Sequence, residues 1–237
     1  EMAAQIARLR TSAQLDAALA AMRRQVAAEI DGPRLHGGGE GLDAFANGWL
    51  KRQLALGTRW ARVRHNGYRD LTQDIGALAH IRPDLALERL RRVLAKQYSS
   101  GYAPRTWLNG QILDKDFSDN HVWIPFTVHA LIMETGEVQL LEERIPFNDG
   151  SAGSLYEHTR RAVDYLWKDR AQRGLCRFRS GDWNDCLERV GPQGNGVSVW
   201  LSMAWCVANR CLAELAEALG RGDDAAQARA RGAQMAM

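Results

Sequence analysis

Apolar residues along this chain recur mostly every three to four positions, and period-two alternation is nearly absent, so the pattern predicts helices joined by loops. In residues 3–30, Ile6, Leu9, Leu15, Leu19 and Met22 fall at helical spacing among Ala, Arg and Gln, which predicts an amphipathic helix with one break. Asp31-Gly32-Pro33 stops it, and Leu35 to Glu40, with its run of glycines, reads as a flexible connector. The expected organisation is therefore a linker helix and connector over 1–40 and a second domain over 41–237.

Helical signals continue from residue 41, and six or seven helices are expected there. Residues 42–61 predict one. Pro83 opens another that runs to about Tyr98, its missing N–H costing nothing in a first turn. Residues 120–135 form a third, closed by Gly136 as a left-handed cap. Ser154 and Glu157 have capping-box spacing, and the helix they open carries Lys168, Arg170 and Arg173 towards Gly174. Ser198 starts an apolar helix that Gly220 closes, and 223–235 predicts the last. The loops 62–70, 99–119 and 174–197 are longer than a helix bundle needs and rich in aromatic and polar residues, the usual signature of functional connections. A toroid of helix pairs with a site at one mouth fits this arrangement.

Composition narrows the function. With 46% hydrophobic and 25% charged residues, the 237-residue chain has the balance of a soluble globular protein, and a cytoplasmic location is expected. No apolar run reaches the roughly 20 residues of a membrane span. The net charge of +3, with both signs interspersed, argues against nucleic acid. The four cysteines have neither disulfide-framework nor zinc spacing, so no metal is expected. Eight Trp against five Phe and five Tyr is unusual for a core and suits a site that stacks flat, hydroxylated ligands.

Three loop segments concentrate the chemistry. Ser180-Gly181-Asp182-Trp183-Asn184-Asp185-Cys186 offers a proton carrier, a stacking ring and an amide within one turn of chain. The same residues could instead form an Asx-turn with Trp183 as a core plug. In Arg64-His65-Asn66-Gly67-Tyr68-Arg69-Asp70, guanidinium and carboxylate together suit vicinal hydroxyls, whereas an Asp at a helix start is equally explained by the helix dipole. In Phe117 to Pro125, Ser118 or Asp119 is expected to cap a helix and Trp123 and Pro125 to pack in its first turn, with His121 and His129 structural. His36-Gly37-Gly38-Gly39 lacks an accompanying nucleophile elbow, and the glycines of 191–196 fit neither a P-loop nor a dinucleotide fingerprint.

Taken in order, Trp49 to Gln53, Gly67 to Asp70 with Gln73-Asp74, Phe117 to Pro125, Glu134-Thr135-Gly136, Tyr156-Glu157-His158, Gly181 to Cys186 and Gly196 to Trp200 resemble the catalytic domain of the glycoside hydrolase family 94 phosphorylases. That family includes cellobiose, chitobiose, cellobionate and 1,2-β-oligoglucan phosphorylases and the C-terminal part of cyclic β-1,2-glucan synthases. The resemblance implies an all-α (α/α)6 barrel. It makes Asp185 the general acid and places Trp183, Asp182, Asp70 and, by spacing, Arg64 around the non-reducing sugar. Trp107, with Tyr102 and Arg105, falls in the loop that varies with the aglycone. The implied reaction is reversible, inverting phosphorolysis of a β-linked glucoside or gluco-oligosaccharide, with a lean towards a β-1,2 linkage, to an α-sugar 1-phosphate; inorganic phosphate is the co-substrate and no other cofactor is needed. The expected partners are a β-linked oligosaccharide and phosphate, without nucleic acid or membrane, and a homodimer for the full-length protein. Competing expectations are an (α/α)6 hydrolase using water, a cyclic-glucan-synthase region and a non-catalytic helical scaffold. Since twelve helices close such a barrel, residues 41–237 are expected to supply about its first half and to be inactive alone.

Overall fold

In a computed structural model, the structure describes residue 6 and residues 9–60, 66–113, 115–171, 173–187, 190, 193 and 195–236. The chain divides into two compact units, residues 1–59 and 60–237, so the boundary expected after residue 40 falls inside the first.

Within the first unit, α1 (Ser12–Glu29) begins after the break anticipated in the N-terminal helix. Thr11 and Gln14 form a capping box there, Thr11 accepting from the Gln14 N–H and Gln14 reaching back to the Thr11 N–H. The helix expected over 42–61 is α2 (Glu40–Ala44), a π-helical stretch over Phe45–Leu50 and α3 (Lys51–Trp60) in succession. Phe45 and Trp49 stack at 5.1 Å on the widened turn. Lys51 is buried and donates to the carbonyls of Ile30 and Pro33, closing the turn that Pro33 starts.

The second unit is mostly helical and is organised as three successive hairpins: α4 (Tyr68–Ala79) with α5 (Pro83–Leu94), α6 (Asn120–Thr135) with α7 (Leu155–Lys168), and α8 (Val199–Ala218) with α9 (Gly222–Ala236). The first members, α4, α6 and α8, pack side by side, and each second member packs back on its own first member. This is how an (α/α) barrel distributes its inner and outer helices. The inner α6 is apolar nearly all round, whereas α5 and α7 carry a single apolar stripe. Leu90, Leu94, Ile124, Leu131, Leu155 and Trp205 are among the residues of one continuous core.

Local chemistry explains most of the ends. Ser154 and Glu157 form the expected capping box on α7, Gly136 closes α6 at φ +68°, and Ser198 caps α8 by accepting from the Leu201 N–H. Several expectations need correction. Helix α5 ends at Leu94, short of Tyr98, and α7 ends at Lys168, leaving Arg170 to stack on Trp167. Pro125 lies in the second turn of α6, where its missing N–H forfeits one backbone bond. Short strands also appear where periodicity predicts loops. β1 (Asn66–Gly67), β2 (Thr106–Leu108) and β3 (Gln111–Ile112) form an antiparallel sheet, and β4 (Arg144–Pro146) pairs with β5 (Ala152–Ser154). Pieces of two or three residues are too short to show alternation.

Candidate functional site

The N-termini of the three inner helices converge, and the loop 176–187 lies across them. That loop is pinned along its length. Phe178 N–H donates to Gly196 at 3.0 Å and Ser198 N–H to Cys176 at 2.9 Å, while Ser118 N–H donates to the Gly181 carbonyl at 2.9 Å. The Ser118 hydroxyl is shared between the carbonyls of Phe178 and Gly181. Ser118 thus ties the loop to α6 rather than capping the helix. Arg179 turns the chain through a left-handed conformation, φ +56°, with its guanidinium held by Asp169 and Asp116.

At the tip, Asp182 is buried and both carboxylate oxygens are used internally. Oδ1 accepts from the Asn184 N–H at 2.8 Å, and Oδ2 accepts from the Ser198 hydroxyl at the start of α8. The Asx-turn considered for this segment is therefore formed, and the Asp182 side chain secures the loop. Trp183 is no core plug. It is half exposed and stacks on Trp200 of α8 at 5.9 Å and 21°, and Trp200 leans in turn on Trp123 of α6 at 6.2 Å. Asp185 opens a 3-10 turn, Asp185–Leu187, with its side chain 56% exposed.

Arg69 in the first turn of α4 gathers this loop. One terminal nitrogen donates to Asp185 at 2.6 Å; the other donates to the Asp182 carbonyl at 2.8 Å and to Asp119 at 3.2 Å. Asp119 is fully buried at the start of α6. Its Oδ2 accepts from Arg69 and from the Trp123 indole N–H at 3.2 Å, while Oδ1 has no hydrogen-bond partner among the described residues. The expected capping role is corrected, since the Asp119 side chain makes no cap bond. Burial pushes its carboxyl above the usual carboxylate range, the Arg69 charge and the two donors pull it back, and Asp182 adds to the upward shift. Burial disfavours the charged Arg69, but Asp119 and Asp185 more than offset it, so its net shift is upward.

Arg105 also approaches Asp185, 4.0 Å from Oδ1, with its guanidinium 3.8 Å from the Phe117 ring centroid. Its carbonyl accepts from Tyr68 N–H at 2.8 Å, joining this segment to the start of α4. Trp107 on β2 is half buried and meets the Tyr68 ring edge-on at 6.1 Å. Asp70 sits in the first turn of α4, folded so closely over Gly67 that a Cβ there would lie 1.9 Å from Asp70 Oδ2. Its position also benefits from the positive end of the helix dipole. Arg64 lies outside the described residues.

Sequence reasoning missed Arg69, although it adjoins Asp70. Successive residues of a helix point about 100° apart, and pattern alone cannot say which of the two faces the loop. His121 bonds the Ser118 carbonyl and stacks on Tyr165, and His129 pairs with Glu214. Among the described residues, no group of His, Cys, Asp and Glu could hold a metal ion, and no helix is long and apolar enough to cross a membrane.

Known proteins resemble the chain across this whole region. The family description "Glycosyl hydrolase 94 superfamily, catalytic domain" matches residues 34–237. A solabiose phosphorylase of Paenibacillus borealis is 39% identical over 78% of this chain and 24% of its own length. A cellobionic acid phosphorylase of Neurospora crassa is 31% identical over 77% of this chain and 24% of its own. The cyclic β-(1,2)-glucan synthase NdvB of Rhizobium meliloti is 34% identical over 75% of this chain and 7% of its own. The chain thus spans about a quarter of the length of the two phosphorylases and less of the synthase. With the three hairpins and the catalytic-domain match extending over most of the sequence, the chain belongs to the glycosyl hydrolase 94 superfamily.

Proposed function

We propose that this chain supplies the general acid and part of the sugar site of an inverting β-glycoside phosphorylase. The observation that carries the reading is an exposed carboxylate, Asp185, held by Arg69 at 2.6 Å two residues from the half-exposed Trp183. The Trp183–Trp200 stack offers an apolar face for a pyranose ring. Protonated Asp185 gives its proton to the glycosidic oxygen as the bond to the anomeric carbon breaks. Inorganic phosphate attacks that carbon from the opposite face, leaving an α-sugar 1-phosphate and the free aglycone. Phosphate is already anionic, so no second carboxylate is needed to activate the nucleophile.

In this reading Asp70 and Arg64 bind hydroxyls of the non-reducing sugar. Asp182 serves that site by fixing Trp183 and Asp185, and Trp107 stands towards the aglycone with Arg105. The substrate is a β-linked gluco-oligosaccharide, and likeness to a cyclic β-(1,2)-glucan synthase favours a β-1,2 linkage. Phosphate is the only co-substrate required, and the acting species is the full-length protein in the cytoplasm.

The test is phosphorolysis of β-1,2-, β-1,3- and β-1,4-linked glucose disaccharides by the full-length protein and its Asp185→Asn variant. Sugar 1-phosphate from the parent and none from the variant is expected. Undiminished activity of the variant overturns the assignment of Asp185, and free sugar released without phosphate shows a hydrolase.

A further inference from the structure

We propose that Asp119 is a positioning residue for the proposed acid: by neutralising Arg69 at the nitrogen that does not bond Asp185, it lets Asp185 carry a proton while remaining hydrogen-bonded to that guanidinium. The inference rests on the reading of Asp185 as general acid and concerns how its proton is kept.

The difficulty it resolves is electrostatic. A general acid must be protonated when the glycosidic bond breaks, yet Asp185 lies 2.6 Å from one nitrogen of Arg69 and 4.0 Å from Arg105. A cation close to a carboxyl favours its ionised form over the protonated one. The arrangement around Arg69 supplies the counterweight. Its second terminal nitrogen is engaged by the Asp119 carboxylate and the Asp182 carbonyl. Asp119 is completely buried, faces Arg69 and the Trp123 indole N–H, and leaves Oδ1 without a partner among the described residues. Burial of a carboxylate with half its acceptor capacity unused is costly, and a packed helix start could hold a neutral residue there. An anion at this position meets the Arg69 nitrogen that does not bond Asp185, leaving the other nitrogen to act as a hydrogen-bond donor to Asp185.

Among the described residues, Asp182 and Arg105 also face the cluster. The Asp182 carboxylate is committed to Ser198 and Asn184, and its negative charge acts in the same direction as Asp119. Arg105 opposes them both, stacked on Phe117 beside Asp185.

The experiment is the pH dependence of kcat for β-disaccharide phosphorolysis by the full-length protein. Loss of the proton from the acid produces the alkaline limb. Asp119→Asn leaves Arg69 uncompensated, so the limb is expected to move about one pH unit or more to lower pH, the size typical for loss of a nearby charge. Asp119→Glu keeps the carboxylate and is expected to leave the limb in place. Arg69→Gln, which removes the cation, is expected to move it to higher pH and provides an independent arm if Asp119→Asn does not fold. A uniform loss of height without movement of the limb in a folded Asp119→Asn or Arg69→Gln variant overturns the proposal and makes the residue purely structural. A dinitrophenyl β-glucoside, whose leaving group needs no proton, separates the two levels. If Asp185→Asn abolishes disaccharide phosphorolysis but spares this substrate, the acid reading stands while the limb test decides the role of Asp119. Full disaccharide activity in Asp185→Asn overturns both.

Discussion

Gly181 lies edge-on against Phe117, and a Cβ at position 181 would sit 2.6 Å from the tip of that ring. The ring cannot retreat easily, because it is 1% exposed and carries the Arg105 guanidinium at 3.8 Å. Gly181 has ordinary backbone angles, so what it provides is space. Gly181→Ala is expected to destabilise the protein by about 1–3 kcal/mol through overpacking and to displace Arg105 from Asp185. Thermal unfolding measures the first effect. A marked loss of kcat/KM in material that remains folded at the assay temperature measures the second.

Trp183 and Trp200 should separate in a mutational comparison. Trp183 is half exposed and contributes little to the core, so Trp183→Ala is expected to leave the unfolding midpoint nearly unchanged while raising the sugar Kd roughly tenfold, about 1.4 kcal/mol. Trp200 is packed against the core and bridges Trp183 to Trp123, so Trp200→Ala should lower both stability and affinity. Titration of tryptophan fluorescence with a β-disaccharide, alongside calorimetry, tests the pair. Equal affinities for parent and Trp183→Ala would remove the platform role.

The cysteines offer a chemical probe of the same loop. Burial pushes the Cys176 thiol up to about 12 and the Cys211 thiol up to about 11, so near pH 8 both remain protonated and unreactive. Cys186, adjoining Asp185, is exposed. Iodoacetamide should therefore modify Cys186 first, and a bound β-oligosaccharide should slow that reaction. Peptide mapping showing Cys176 as the first modified site would contradict the packing of the loop.

Acid sensitivity has an identifiable contributor in the turn 148–151. Asp149 accepts from the Ser99 N–H and the Ser151 hydroxyl, which lower its carboxyl from the usual range to about 2. A folded value below the unfolded one stabilises the native state above pH 4, and this contribution is lost as pH falls from about 4 through about 2. Asp149→Asn is expected to reduce stability near neutrality and to flatten that acid-side decline. Chemical denaturation at pH 6 and pH 2.5 checks the sign.

The sequence made the helical architecture legible because its signals are local. A serine three residues before a glutamate, a proline at a first turn and a glycine at a left-handed cap act within a few residues of chain, and the starts of α7 and α5 and the end of α6 follow them. The site was legible only in part. Trp183 and Asp185 were visible as chemistry, but the residues that hold them are remote in sequence. Whether Asp119 caps a helix or meets a cation depends on Arg69, 50 positions away, and no window of sequence contains both. The small sheet that ties Arg105 and Trp107 to the start of α4 was hidden for a different reason: its strands are set by tertiary pairing and are too short to carry a pattern.

The meeting of three helix starts beneath one loop also has a kinetic meaning. Arg69 and Asp185 are separated by 116 positions, and the chain between them includes two complete hairpin partners and the inner helix that carries Asp119. Each hairpin can form from nearby contacts, but this cluster of charges exists only after neighbouring hairpins have docked. A collapsed intermediate with full helix content would therefore lack the Arg69–Asp185 contact, and in the full-length protein the appearance of the proposed activity during refolding should lag behind the recovery of helical signal.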